Sequence, residues 1–212
     1  MKRDPKETER ALLEVTRDQE GYFTAGQALS VGYTYRQQNY HKNRGNWLYI
    51  DHGVYRLRNY PESEHEDLIR WSFWSRNRRG EFQTTISHDT ALAIHELGDV
   101  MPGKIHLTVP PGFRKKALGG SVLHIARLAP DDIEHRHGFN VTTPLRTILD
   151  VADSPLSPDL LEDVVRDALR RGLVRSKQLL SDELPKEAKE RLRTAVEVAE
   201  PVETGRSIEE NG

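Results

Sequence analysis

Apolar residues recur at helical spacing among charges near the start of the chain, at Ala11, Leu12 and Val15, and Gly21 closes the run. This predicts an amphipathic helix over residues 3–18. Tyr22-Phe23 reads as a short apolar link. Thr24, with Gln27 three residues on, has the form of a capping box ahead of a brief helix from Ala25 to Ser30. Gly32 breaks the chain, and Thr34 caps a third helix from Tyr35 to Lys42, closed by Asn43-Arg44-Gly45. The pattern then changes to β-rich runs, Trp47-Leu48-Tyr49-Ile50 and Val54-Tyr55-Arg56-Leu57, joined by Asp51-His52-Gly53 with the chemistry of a tight hairpin turn. Short helices followed by a β-ribbon give the order of a winged helix-turn-helix, in which the third helix enters the major groove and the ribbon lies along the backbone.

Pro61-Glu62-Ser63-Glu64 turns abruptly polar and marks a domain boundary. Beyond it, residues 66–79 read as a helix carrying Leu68, Ile69, Trp71, Phe73 and Trp74, and residues 87–97 as another, with Ser87 as N-cap and Gly98 as its end. Residues 105–109 and 122–126 are strands by composition, with breaks at Pro110-Pro111-Gly112 and Gly119-Gly120, and residues 135–141 form a small hairpin around Gly138. Thr143-Pro144 and Ser157-Pro158 each set an N-cap and an N1 proline before the helices 145–152 and 160–171. Residues 186–200 give a last helix, with a face suited to pairing with another subunit. The tail from Pro201 lacks periodicity and reads as acidic and disordered. The expected fold class is α+β: a winged helix-turn-helix at 1–61, a mixed α/β domain at 62–200, and a tail at 201–212.

Composition narrows the functional classes. The absence of cysteine excludes disulfides, zinc-thiolate sites and cysteine nucleophiles, and suits a reducing cytoplasm. No stretch approaches the ~20 apolar residues of a membrane span, so no membrane partner is expected. The formal net charge of -2 gives no global sign of nucleic-acid binding, but between Tyr33 and Tyr60 the residues Arg36, Lys42, Arg44, Arg56 and Arg58 face Asp51 alone.

That local charge assigns roles. The first turns of a groove-bound helix point at base edges, which makes Tyr35, Arg36, Gln37 and Asn39 the candidate base readers: arginine matches guanine O6 and N7, and Gln or Asn matches adenine N6 and N7. Lys42, Arg44, Arg56 and Arg58 are candidate contacts to the DNA backbone, which supply affinity and register. Tyr40, Trp47, Leu48, Tyr55 and Leu57 are expected to pack; Tyr49 and His52 near the hairpin tip stay open. His88, His95 and His106 invite a metal reading. However, His88 and His95 stand two helical turns apart, too far for one ion to bind both directly, so no metal and no cofactor are expected. Arg146, one turn inside its helix, suits an internal salt bridge better than a partner's carboxylate.

From Ser87 onward the order of motifs is itself informative. Ser87-His88 with Ala91-Leu92, the strand Pro102-Gly103-Lys104-Ile105-His106-Leu107-Thr108-Val109-Pro110, and Val141-Thr142-Thr143-Pro144 with Arg146-Thr147 follow in turn, behind Gly53-Val54-Tyr55-Arg56-Leu57. This arrangement resembles the AbiEi family of antitoxins, over most of residues 8–180. The resemblance implies a DNA-binding antitoxin that represses its own operon by binding double-stranded DNA at inverted repeats in its promoter, as monomer or dimer. It also implies antagonism of a nucleotidyltransferase-like toxin, with or without direct contact, and no enzymatic activity. The alternative is a nuclease or other nucleic-acid enzyme targeted by the winged helix, for which Asp89, Glu96 and Asp99 are the available carboxylates.

Overall fold

The computed structural model describes residues 4–117, 119–180 and 184–200, so the predicted acidic tail lies outside the described residues. The fold is α+β. The chain divides into two compact units. One comprises Met1–Ile86, Leu107–Gly119 and Leu123–Val141, the other Ser87–His106, Gly120–Val122 and Thr142–Gly212. The polar stretch at Pro61 therefore falls inside the first unit. Among the described residues no helix is long and apolar enough to cross a membrane.

The first unit opens with α1 (Pro5–Arg17), capped by Asp4, whose carboxylate accepts from the Lys6 amide. β1 (Tyr22–Thr24) follows, then α2 (Ala25–Val31) and α3 (Tyr35–Asn43), each opened by a complete capping box, Thr24 with Gln27 and Thr34 with Gln37. β2 (Trp47–Asp51) and β3 (Val54–Leu57) form the hairpin. The residues read as an apolar link prove to be a strand: β1 pairs antiparallel with β3, Tyr22 opposite Arg56 and Phe23 opposite Tyr55, so the small sheet has the order β1-β3-β2. The helices pack on one face of it through Leu12, Phe23, Ala28, Val31, Tyr33 and Trp47. Phe23 meets Trp47 edge-on at 4.8 Å, a geometry that adds to the area both rings bury.

α4 (Glu66–Ser75) is shorter than its periodicity predicts. Asn77 stops it, because its side-chain oxygen accepts from the amides of Arg79 and Glu81 and so offers the backbone a turn in place of another helical bond. Most of a five-stranded sheet, order β6-β5-β4-β8-β7, also belongs to this unit. Its strands are β4 (Thr85–Ile86), β5 (Ile105–Val109), β6 (Ser121–Ile125), β7 (Ile133–Arg136) and β8 (Phe139–Thr142). The fully buried Ile86 pairs with Leu107 on one side, antiparallel, and Val141 on the other, parallel.

The second unit is mainly helical: α5 (His88–His95), α6 (Pro144–Ala152), α7 (Pro158–Arg170), α8 (Ser176–Leu179) and α9 (Lys186–Ala199). Its core joins Leu92, Ile148, Leu161, Val165 and Leu192. The face of α9 expected to meet another subunit, including Ala188, Leu192 and Ala195, is buried here within the unit itself. Two arginines satisfy helix ends whose carbonyls lack intrahelical partners. Arg191 donates to the carbonyls of Ala152, Ser154 and Leu156, and Arg171 to those of His95 and Glu96 at 2.7 and 2.9 Å. Glu96, left-handed at φ 54°, ends α5 before the predicted Leu97.

Two outcomes test how β1 is held. Gly21 has φ +81°, and a Cβ there would stand 2.5 Å from Tyr60 Cβ. Gly21→Ala will lower stability by on the order of 1–3 kcal/mol in urea denaturation, and pairing it with Tyr60→Gly, which removes the opposing Cβ, will recover the steric part but not the backbone strain. Burial, and then the neighbouring Glu66 carboxylate, push the Tyr22 hydroxyl up to about 12 from 10.0. Its contribution to stability is fully present below pH 10 and is lost as pH rises from 10 towards 12, because the unfolded chain releases that proton first. Tyr22→Phe will flatten this alkaline limb in denaturation curves measured across pH.

Candidate nucleic-acid interface

α3 owes its position to one buried residue. Gln38 is 3% exposed and donates to the carbonyl of Ala25 at 3.2 Å, which anchors α3 against α2 and turns the opposite side of the helix to solvent. At about 100° per residue, Arg36, Asn39, Tyr40 and Asn43 share that outward side, and all are exposed. Tyr35, at the first position, is 68% exposed. Three of the predicted base readers, Tyr35, Arg36 and Asn39, are thus solvent-facing on α3.

Gln37 is not placed with them. It is exposed but lies on another side of the helix, and its Oε1 accepts from both the amide and the hydroxyl of Thr34 at 2.8 Å. Those two bonds use both lone pairs of the amide oxygen. Bidentate pairing with adenine would require breaking the cap, so the base-reading role read for Gln37 is corrected to a capping one. Tyr40 departs in the opposite sense: expected to pack, it is 55% exposed, with Arg44 stacked 5.6 Å from its ring.

The cations divide similarly. Lys42, Arg44 and Arg58 are exposed. Arg58 donates through Nε to the carbonyl of Gly45, which holds its stem against the turn between α3 and β2. Arg56 is only 4% exposed, and its guanidinium donates to the carbonyls of Tyr60 and Pro61, faces Glu66 at 3.6 Å and lies 5.7 Å from the Tyr22 ring centre. Its predicted role as a DNA-backbone contact is corrected: the side chain is an internal tether. The signal was present in the strand's alternation, since Val54 and Arg56 have the same parity and therefore the same face, and Val54 is buried. Arg-x-Arg on a strand puts its two arginines on one face of the sheet only in an ideal ladder; here β3 ends at Leu57, and Arg58 lies beyond it.

Two positions near the hairpin tip, left open by the sequence, are solvent-facing. Tyr49 is 58% exposed and meets Tyr55 edge-on, and His52 is exposed. The acidic Asp51 is exposed beside them, with its carboxylate accepting from the His52 amide. At the far end of α3, His41 stacks on Trp47 at 4.9 Å and accepts at Nδ1 from the Asn46 side chain. Burial pulls its pKa below the usual histidine value, opposed by Glu9, so it serves α3 as a neutral packing ring.

The other candidate residues lie in the second unit. Arg146 pairs with Asp150 at 2.9 Å, one helical turn on, as its position suggested. His95 is buried against the carbonyl of Thr142 at 2.7 Å. Asp89, Glu96 and Asp99 do not form a grouped set of metal-ligating carboxylates among the described residues.

No protein-family model matches the chain, and no curated protein sequence does. A solved structure with a similar fold is the crystal structure of RV2827C protein from Mycobacterium tuberculosis. The similarity covers 94% of this chain and 79% of that one, at 15% identity and a TM-score of 0.56, and so extends to the fold alone.

Proposed function

We propose that this protein is a cytoplasmic DNA-binding antitoxin that represses its own operon, with residues 1–61 acting as a winged helix-turn-helix. On this reading α3 enters the major groove and the β2–β3 hairpin is the wing. The carrying observation is the solvent-facing side of α3, where Arg36 and Asn39 stand together because Gln38 is buried behind them. The order of three helices and a hairpin, closed into a sheet by β1, supports it. The antitoxin role rests on the AbiEi-like order of motifs from Ser87 to Thr147, and with it the antagonism of a nucleotidyltransferase-like toxin.

The chemistry separates affinity from specificity. Lys42, Arg44 and Arg58 can neutralise phosphates and release counterions, which binds any duplex and weakens with salt. Arg36 can take guanine O6 and N7 together, and Asn39 adenine N6 and N7, each pair contributing about 1–3 kcal/mol of discrimination. Tyr35 and Tyr40 flank that pair with exposed rings.

Mobility shifts on the duplex upstream of the protein's own gene, across a salt series with an unrelated duplex as competitor, test the reading. Retarded species that survive competitor are expected, and two steps would indicate paired half-sites. Arg36→Ala should erase most of the preference for the operator. Lys42→Ala, Arg44→Ala or Arg58→Ala should weaken all duplexes alike and lower the salt slope by about one each. Equal retention of operator and competitor by the wild type would overturn autorepression, and metal-dependent cleavage would favour the nuclease alternative. Arg56→Ala is expected to lower stability by about 1–3 kcal/mol in urea denaturation, since it leaves the carbonyls of Tyr60 and Pro61 without their donor.

A further inference from the structure

α5 begins in a backbone state that its sequence does not require. His88, its first residue, has φ +51° and is nearly buried, although it is not glycine. A left-handed conformation at such a residue costs on the order of 1–3 kcal/mol and persists where the surroundings hold it for a reason. The side chain capping expected of Ser87 is absent: its hydroxyl lies 3.0 Å from His88 Nδ1 instead. In this arrangement the His88 ring stands 5.9 Å from that of His106 on β5, and the coordinating nitrogens of the two rings lie within 4.8 Å of one another. The spacing that excludes His88 and His95 from one ion thus does not apply to His88 and His106, which are distant in sequence and adjacent in space.

We propose that His88 and His106 are ligands of a site for a divalent transition-metal ion of the zinc, nickel or copper class. Two bonds of about 2.0–2.1 Å allow nitrogens on one ion to stand at most about 4.2 Å apart, a distance that small ring rotations reach from here. Imidazole selects these ions over magnesium or calcium, which take oxygen ligands. The surroundings have the features of an outer shell, in which one ring nitrogen is oriented by a polar partner while the other meets the metal. Ser87 stands against His88, and the Asp89 carboxylate lies 4.0 Å from His106 Nε2. The backbone of His106 is fixed too: its amide donates to Thr90 Oγ1, whose hydroxyl donates to the Lys104 carbonyl.

The test uses the full chain titrated with Co2+, followed by its visible absorption, and with Zn2+, followed by calorimetry and by the ring resonances of the nine histidines. One equivalent should bind, and the resonances of His88 and His106 should shift. His88→Asn, chosen because asparagine tolerates the left-handed backbone, and His106→Gln should each weaken binding by at least about tenfold. Ser87→Ala and Asp89→Asn should weaken it by about ten- to a hundredfold. Unchanged circular dichroism without metal shows that the variants fold, and His106→Gln carries the test if His88→Asn does not. Absence of saturable binding by the wild type, or binding that survives both histidine variants, overturns the site. Neither result bears on DNA binding, whose proposed residues lie on α3 and its flanks.

Discussion

The first unit depends on where the guanidinium of Arg56 goes. Burying an arginine is unfavourable unless its charge and donors are compensated; here Nη2 donates to two backbone carbonyls, while Nε makes no hydrogen bond among the described residues but faces the Glu66 carboxylate at 3.6 Å, beside an aromatic face. The carbonyls belong to Tyr60 and Pro61, directly after the hairpin, and the carboxylate to Glu66, at the start of α4. One side chain on β3 therefore fixes the path by which the chain leaves the hairpin. It also fixes β1, since Arg56 stands opposite Tyr22 in the register and the Tyr22 ring contacts Phe73 of α4. An abrupt change to Pro61-Glu62-Ser63-Glu64 suggests a linker when read as composition. In the fold its first carbonyl, that of Pro61, is bonded by Arg56, and the compact unit runs on past the segment to Ile86.

What the sequence could reveal depended on the range of the interaction responsible. Caps act within one turn, so Thr24, Thr34, Thr143-Pro144 and Ser157-Pro158 located the starts of α2, α3, α6 and α7 to within a residue or two. Hairpin chemistry is nearly as local, and β2 and β3 follow from it. β1 and β4 were not legible, because strands of three and two residues have no periodicity of their own and exist through partners distant in the chain. The premature ends of α4 and α5 come from side-chain competition at Asn77 and from the left-handed Glu96, neither of which hydrophobic spacing records.

The candidate interface shows the same limit at the scale of single residues. Polar residues on a short helix look alike in a sequence, and Arg36, Gln37, Gln38 and Asn39 could each face a groove. Two of the four are committed elsewhere, Gln37 to the cap and Gln38 to the Ala25 carbonyl. Capping boxes signal exactly that commitment, and Thr34 three residues before Gln37 had the form of one. Arg56 carried an equally simple signal in its parity with Val54. In both cases the direction in which the backbone aims the side chain decides its role before charge or hydrogen-bonding capacity does.

Once the committed residues are set aside, the remaining ones have a property that bears on function. Arg36, Asn39, Tyr40 and Asn43 are exposed, and the contacts that hold α3 in place run through Gln37, Gln38 and His41. The outward face can therefore change without disturbing the cap, the anchor or the stacked ring beneath it. A helix divided in this way lets the side chains it presents to solvent be altered independently of the fold that presents them, since substitutions at exposed positions away from such contacts usually shift stability by only about 0.5 kcal/mol. Arg56 lacks that latitude. Its charge resembles that of its neighbours in the sequence, but the buried donors tie it to one geometry, and a change there reaches the hairpin, the segment after it and α4 together.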